Sequence, residues 1–280
     1  MGERGAKVLA AGLLWWGMVM ELGGFATAAE YRHHALIQKS VGFYAVYLPP
    51  DYDQKDQQQR TYDVCVMLHG RGRTEVDHVA LANALGREGM IYVAPRAPFL
   101  YARKVLKKNV LGWTAIPTFP KEWGGKQSPS FPKEETVALQ YERLYTDWIA
   151  DCLADARQRY RVKANRVMVV GHSEGAEFAH QFAMDHSDLV RGYVAYAGYF
   201  HEAIMATDAS AAFLKKAGVT PFIAHSERDP YVPVATSKQW VAYLQRYGVP
   251  HEKMFIRERN HEIASSVIPA IRKFIRTETR

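Results

Sequence analysis

The stretch RVMVVGHSEGAEFAHQFAMDH, residues 166–186, restricts the fold more than any other part of the chain. Val167, Met168, Val169 and Val170 form an unbroken apolar run, the pattern of a strand covered on both faces. After Ser173 the apolar residues Ala176, Phe178, Ala179, Phe182 and Ala183 recur at helical spacing. A doubly buried strand that passes at once into a helix belongs to a layered α/β architecture. Gly171 and Gly175 let the chain turn sharply around Ser173 and let the new helix approach its neighbours. Such a turn lifts a serine hydroxyl clear of the sheet, as a nucleophile elbow does. The competing reading is a serine that N-caps an ordinary helix.

The rest of the chain repeats the alternation. Strands are expected at Ala35–Gln38, Phe43–Leu48, Asp63–His69, Met90–Ala94, Arg166–Val170, Gly192–Tyr196, Pro221–His225 and Lys253–Arg257. Helical patterns cover Val76–Glu88, Glu135–Tyr160, Glu174–Asp185, Thr236–Tyr247 and Glu262–Thr277. Two opening strands followed by strand–helix units predict a mostly parallel sheet of about eight strands with helices on both faces. Ligands of such sheets bind beyond the carboxyl ends of the strands, where Ser173 falls. Pro95–Lys133 carries no clear element and mixes prolines, glycines, aromatics and lysines. A stretch this long in mid-alternation reads as a loop over the site, and the chain as one catalytic domain from residue 29 to 280.

Residues 1–28 read as a signal peptide. Arg4 and Lys7 precede the uncharged run Val8–Met20, and Ala26-Thr27-Ala28 offers a cleavage site before Ala29. The run is short for a membrane span, so the mature chain is expected to be secreted or periplasmic, without a stable span; the competing reading is an uncleaved anchor. The net charge of +7 does not mark a nucleic-acid binder, because the basic residues are scattered and no recognition motif accompanies them. Cys65 in an apolar strand and Cys152 on an apolar helix face read as buried thiols, since a strand and a facing helix usually hold Cα atoms farther apart than a bridge tolerates, with a Cys65–Cys152 disulfide as the competing reading. No Cys/His cluster has metal spacing, so no metal is expected.

A serine hydroxyl needs a histidine to take its proton, and the histidine needs a carboxylate to hold its tautomer. In this fold class the chain order is serine, acid, histidine. Asp229 follows the strand ending near His225, with Glu227 as its rival, and His261 follows the last strand at the expected start of the last helix. Either residue alone would pass for a turn aspartate or a surface histidine; the order and the shared sheet edge give them weight. Two backbone N–H groups should hold the oxyanion. They are assigned to Arg71, beside Gly70 in the loop after the third strand, and to Glu174. The Glu174 side chain is expected to do no more than favour the helix dipole.

Together LHGRG (68–72), GHSEG (171–175), HSERDPYVP (225–233) and RNHEI (259–263) resemble the α/β-hydrolase superfamily. Within it, the chain from about Val41 onward is similar to secreted phospholipase/carboxylesterase and polyhydroxybutyrate-depolymerase/feruloyl-esterase-like enzymes. The resemblance implies an α/β-hydrolase fold without a large cap, no cofactor, and a Ser173–Asp229–His261 triad that cleaves carboxylic esters, small or polymer-linked, through an acyl-serine. It also places Tyr199 and Phe200 of YAGYF at the acyl pocket. Trp113 and Trp123 of the 95–133 stretch, with Gly70, are the other expected substrate contacts. Asn260 stands where many relatives have glycine, and the 95–133 stretch varies widely among them, which leaves subgroup and substrate open. A serine peptidase of the same fold is the alternative enzyme, although the large propeller or cap usual there is missing. A non-catalytic binding protein on this scaffold predicts a broken triad, whereas all three residues are present.

Overall fold

The computed structural model describes residues 32–37, 41–105, 108–115, 135–200, 205 and 208–278. The signal-peptide expectation for residues 1–28 lies outside them, as does Trp123. Eight strands form one sheet: β1 (Arg32–Ile37), β2 (Val41–Tyr47), β3 (Asp63–Leu68), β4 (Met90–Pro95), then β7 (Val167–His172), β8 (Val190–Tyr196), β9 (Thr220–Ser226) and β10 (Glu252–Ile256). Their spatial order is β1-β2-β4-β3-β7-β8-β9-β10. β1 and β2 are antiparallel, and every pair from β4 to β10 is parallel.

Alternation along the strands separates two cores. Val64, Val66 and Leu68 of β3 pack with Val167 and Val169 of β7 against α2 (Glu135–Arg159), α3 (Glu174–Asp185), α4 (Asp208–Ala217) and α5 (Val234–Arg246). Cys65 and Met67 point the other way, with Met168 and Val170, toward α1 (Val79–Leu85) and α6 (Ile268–Glu278). Burial on both faces is what gives β3, β4 and β7 their continuous apolar sequences. The cysteines are free and buried on opposite faces of the sheet.

Three expectations need correction. The 95–133 stretch is not without structure: β5 (Phe99–Val105) and β6 (Lys108–Thr114) form an antiparallel hairpin separate from the main sheet. Its register pairs Leu100 with Trp113 across a lysine-rich tip, which breaks the apolar alternation expected of a strand. Helix α4 was not expected; it is a short alanine- and lysine-rich segment ended by Gly218 at φ 61. The last helix begins at Ile268 rather than at residue 262. Pro269 lacks an N–H and is accommodated only in a first turn, so His261 is left in the loop before the helix.

Candidate active site

The chain leaves β3 for β4 on one side and later enters β7 on the other, so the topological switch lies between β3 and β7. The loops at their carboxyl ends therefore diverge and open a crevice. Ser173 stands at this point, between β7 and α3, with φ 56 and ψ −122. A non-glycine residue held there stores about 1–3 kcal/mol of strain. The surroundings enforce it. Ser173 N–H donates to the Tyr196 carbonyl at 2.8 Å. A Cβ at Gly171 would lie 2.1 Å from the Gly175 carbonyl oxygen, and one at Gly175 would lie 2.2 Å from that of Leu68. Ser173 makes no side-chain cap bond, so helix capping is not what the serine supplies.

The β3 loop meets the serine directly. A Cβ added to Gly70 would sit 3.1 Å from the Ser173 Cβ. Arg73 N–H closes a turn on the Gly70 carbonyl at 3.2 Å, which leaves Arg71 at its outer corner. Glu174 is the first residue of α3, where an N–H has no acceptor within the helix. Buried His69 sets the loop from below. Its Nε2 accepts the Ala97 N–H at 3.0 Å, so Nδ1 carries the proton and donates to the Gly70 carbonyl at 2.9 Å. Burial lowers the His69 pKa and keeps the ring neutral. The hairpin is stitched to the same loop: Gly72 N–H donates to Trp113 O at 2.8 Å and Trp113 N–H to Arg73 O at 3.0 Å.

The Glu174 side chain does more than favour a dipole. It is buried, and Oε1 accepts from Arg71 Nε at 3.1 Å and from the Arg71 guanidinium end at 3.0 Å. Thr114 Oγ1 lies 2.8 and 2.9 Å from its two oxygens, and Ala115 N–H donates to Oε2 at 3.0 Å. One carboxylate thus joins the elbow helix, the β3 loop and the end of β6.

Asp229 and His261 come together at the same edge. His261 Nδ1 is 2.7 Å from Asp229 Oδ2, and the Asp229 side chain is wholly out of solvent. Burial raises the Asp229 pKa, but bonds from Val232 N–H, His261 and Tyr231 N–H outweigh it and leave the group below the ordinary value. Glu227 instead faces Lys238 at 3.5 Å and Arg257 at 4.0 Å. His172, the residue before Ser173, donates from Nε2 to the His261 carbonyl at 2.8 Å, its ring 4.9 Å from that of His261. Arg73 and Glu262 pair at 2.5 Å and join the β3 loop to the histidine loop.

The expected substrate contacts divide. Trp113 is half-buried beneath Arg96, whose guanidinium lies 4.9 Å from its ring centroid. Tyr199 is exposed, its hydroxyl 3.5 Å from the Tyr231 carbonyl, and Tyr231 itself stands edge-on to His261. Phe200 is buried, stacked on Trp240 and packed against Tyr243 beneath α5. Sequence reasoning missed Thr114 and His172, and it missed His225, which shares Asp229 with His261. The short HSERD run was the one available signal for His225, yet the residue reads there as the end of an apolar strand.

Residues 54–279 match the phospholipase/carboxylesterase family. No curated protein matches the chain. Among solved structures, a ferulic acid esterase superposes with a TM-score of 0.62 at 19% identity, over 89% of this chain and 97% of that one. The Bacillus cereus carboxylesterase gives 0.60 at 16% identity, over 90% and 96%. Esterase PE8 gives 0.57 at 21% identity, over 78% and 93%. These likenesses carry the fold, and the family match carries the chemistry. The chain belongs to the phospholipase/carboxylesterase family and is a carboxylic-ester hydrolase of the α/β-hydrolase fold.

Proposed function

We propose that the protein is an exported serine esterase whose triad is Ser173, Asp229 and His261. The observation that carries this reading is the 2.7 Å contact of His261 Nδ1 with buried Asp229 at the edge where Ser173 is held in a strained elbow. Asp229 fixes the proton on Nδ1, which leaves Nε2 free to take the Ser173 proton. Ser173 attacks the ester carbonyl, and the N–H groups of Arg71 and Glu174 hold the oxyanion. His261 then protonates the leaving alcohol, and water repeats the sequence to release the acid. Secretion rests on the basic start, apolar run and small-residue site of residues 1–28.

The exposed Tyr199 and Tyr231 beside His261 favour an ester with an apolar or aromatic portion. The test is labelling with a fluorophosphonate, kinetics of Ser173→Ala, and a panel of short and long p-nitrophenyl esters, methyl ferulate and hydroxybutyrate oligomers. Labelling at Ser173 and loss of several powers of ten in turnover are expected. Labelling elsewhere, or near-normal turnover of the folded variant, refutes the triad. Mass analysis of the exported protein should find Ala29 at the amino terminus.

A further inference from the structure

We infer that His225 is a positioning residue for this esterase: it holds the Asp229 carboxylate in the orientation His261 requires, and Ser237 completes the support. The inference rests on the triad reading above. His225 ends β9, four residues before Asp229, and its side chain is fully buried. Its Nε2 lies 3.2 Å from Asp229 Oδ2 and 3.1 Å from the Val232 carbonyl. Both partners are acceptors, so the ring proton sits on Nε2 and is shared between them. Nδ1 then presents a lone pair, and the Ser237 hydroxyl, 2.7 Å away in the first turn of α5, donates to it. Ser237 is itself buried. Burial, the largest influence, lowers the His225 pKa despite Asp229, so the imidazole stays neutral and acts as a fixed donor.

The consequence falls on the carboxylate. Oδ1 accepts the N–H groups of Tyr231 at 2.8 Å and Val232 at 2.9 Å, and Oδ2 accepts His261 at 2.7 Å and His225 at 3.2 Å. A carboxylate offers about four lone-pair directions, and here all are occupied. Asp229 therefore cannot rotate without losing a bond. Without His225, the Oδ1 side remains tethered while Oδ2 keeps His261 as its one imidazole partner, free to tilt and carrying its charge toward that ring alone. His225 and Ser237 thus tie the acid-bearing turn to β9 and α5, as His172 ties the His261 loop to the elbow.

The experiment compares His225→Leu, His225→Gln and Ser237→Ala in p-nitrophenyl acetate hydrolysis across pH, with thermal unfolding and fluorophosphonate labelling. His225→Leu should lower kcat by about ten- to a hundredfold, the effect of one hydrogen bond to a charged group, with KM within about twofold. Its kcat/KM profile should have the acidic limb at higher pH, because the Asp229 charge is no longer shared with a second imidazole. His225→Gln, whose amide N–H can reach Oδ2, should restore most of both. Ser237→Ala should show a smaller fall with the same direction of limb shift. Among the described residues, the other titratable or charged groups facing Asp229 and His261 are His172, Tyr196, Tyr231 and Glu262 with its partner Arg73, and all are unchanged in these variants. A folded His225→Leu with wild-type kcat and profile overturns the role. So does a loss of kcat without a limb shift and without rescue by glutamine. If His225→Leu fails to fold, an unshifted profile in Ser237→Ala overturns it. Absence of wild-type labelling at Ser173 instead overturns the triad reading, and the two failures are thereby distinguished.

Discussion

Removing the Glu174 carboxylate tests whether the β3 loop, which carries the proposed oxyanion donor Arg71, is held by one buried side chain. Glu174→Ala leaves the Ala115 N–H, in a residue only 2% exposed, without its acceptor, and takes the Glu174 oxygens from Thr114 Oγ1. A buried polar group so orphaned costs about 1–3 kcal/mol. The Arg71 side chain is 34% exposed and can turn to water, so it adds little. The Ala115 group alone gives a loss of about 1–3 kcal/mol, or on the order of 5 °C in Tm for a chain of this size. Glu174→Gln keeps one acceptor oxygen but must set its amide N–H groups against either Arg71 or Ala115, so it incurs about half that cost. Its activity should fall as well. The Glu174 N–H survives in both variants, yet the β3 loop loses its tether, and a misplacement near 1 Å can cost about a hundredfold in rate. We therefore expect kcat for p-nitrophenyl acetate to drop about ten- to a hundredfold with KM little changed, in the order wild type, Gln, Ala. Thermal melts and steady-state kinetics on the three proteins decide it. A Gln variant with wild-type Tm and kcat, or one that changes KM alone, refutes the reasoning.

Asp229→Asn should cost about ten-thousandfold in kcat, because the wrong His261 tautomer is then favoured, whereas Glu227→Gln should stay near wild type; the reverse result would move the acid to Glu227. Gly175→Ala should fail to accumulate as folded protein, since its Cβ would lie 2.2 Å from the Leu68 carbonyl oxygen, while Gly70→Ala, at 3.1 Å from the Ser173 Cβ, should fold and turn over slowly; expression yield and kcat check both. Burial, first among the causes in each case, lowers the pKa of His78 to about 3 and of His172 and His180 to about 4, so unfolding takes up protons below the ordinary value of 6.5. Stability should thus fall as pH drops from 6.5 toward 4, by about 1.4 kcal/mol per pH unit for each ring. His78 Nε2 has no hydrogen-bond partner among the described residues, so His78→Phe should be more stable than wild type at pH 5 in urea titrations; an equal or larger acid sensitivity would contradict the burial argument.

The sheet was legible because its strands are buried on both faces, and Val167–Val170 and Val64–Leu68 have no polar residue with which to hide. The elbow was legible because Gly171 and Gly175 must lack side chains where backbones meet. Asp229 and His261 were placed by order and sheet edge, information that survives in one dimension. The anchoring role of Glu174 was not legible. Its partners lie 103 positions away at Arg71 and 60 away at Thr114, and an acid in a first helical turn looks the same whether solvated or buried. The hairpin was hidden for a related reason: among the described residues its strands pair with each other and, through Trp113, with the β3 loop, so they lie outside the sheet whose alternation organises the rest of the sequence. His225 looked apolar by position, since the strand that carries it is buried up to its last residue.

What the sequence concealed has a common form. Each loop of the candidate site is fixed from behind by a buried polar group: Glu174 for the loop bearing Arg71, Asp229 and His225 for the turn through Pro230, and His172 for the segment bearing His261. Such groups add little net stability when paired, but leaving one partner alone is costly. Alternative loop positions therefore each strand a buried donor or acceptor, and the site has few arrangements of comparable energy. That suits a reaction in which the oxyanion donors must be in place before charge develops. The Trp113 pairing with Gly72 and Arg73 carries the same constraint into the hairpin. On the oxyanion role proposed for Arg71, a change in the hairpin that repacks Trp113 should shift that amide through Gly72 and Arg73 and lower kcat, and steady-state kinetics of Trp113→Ala check it.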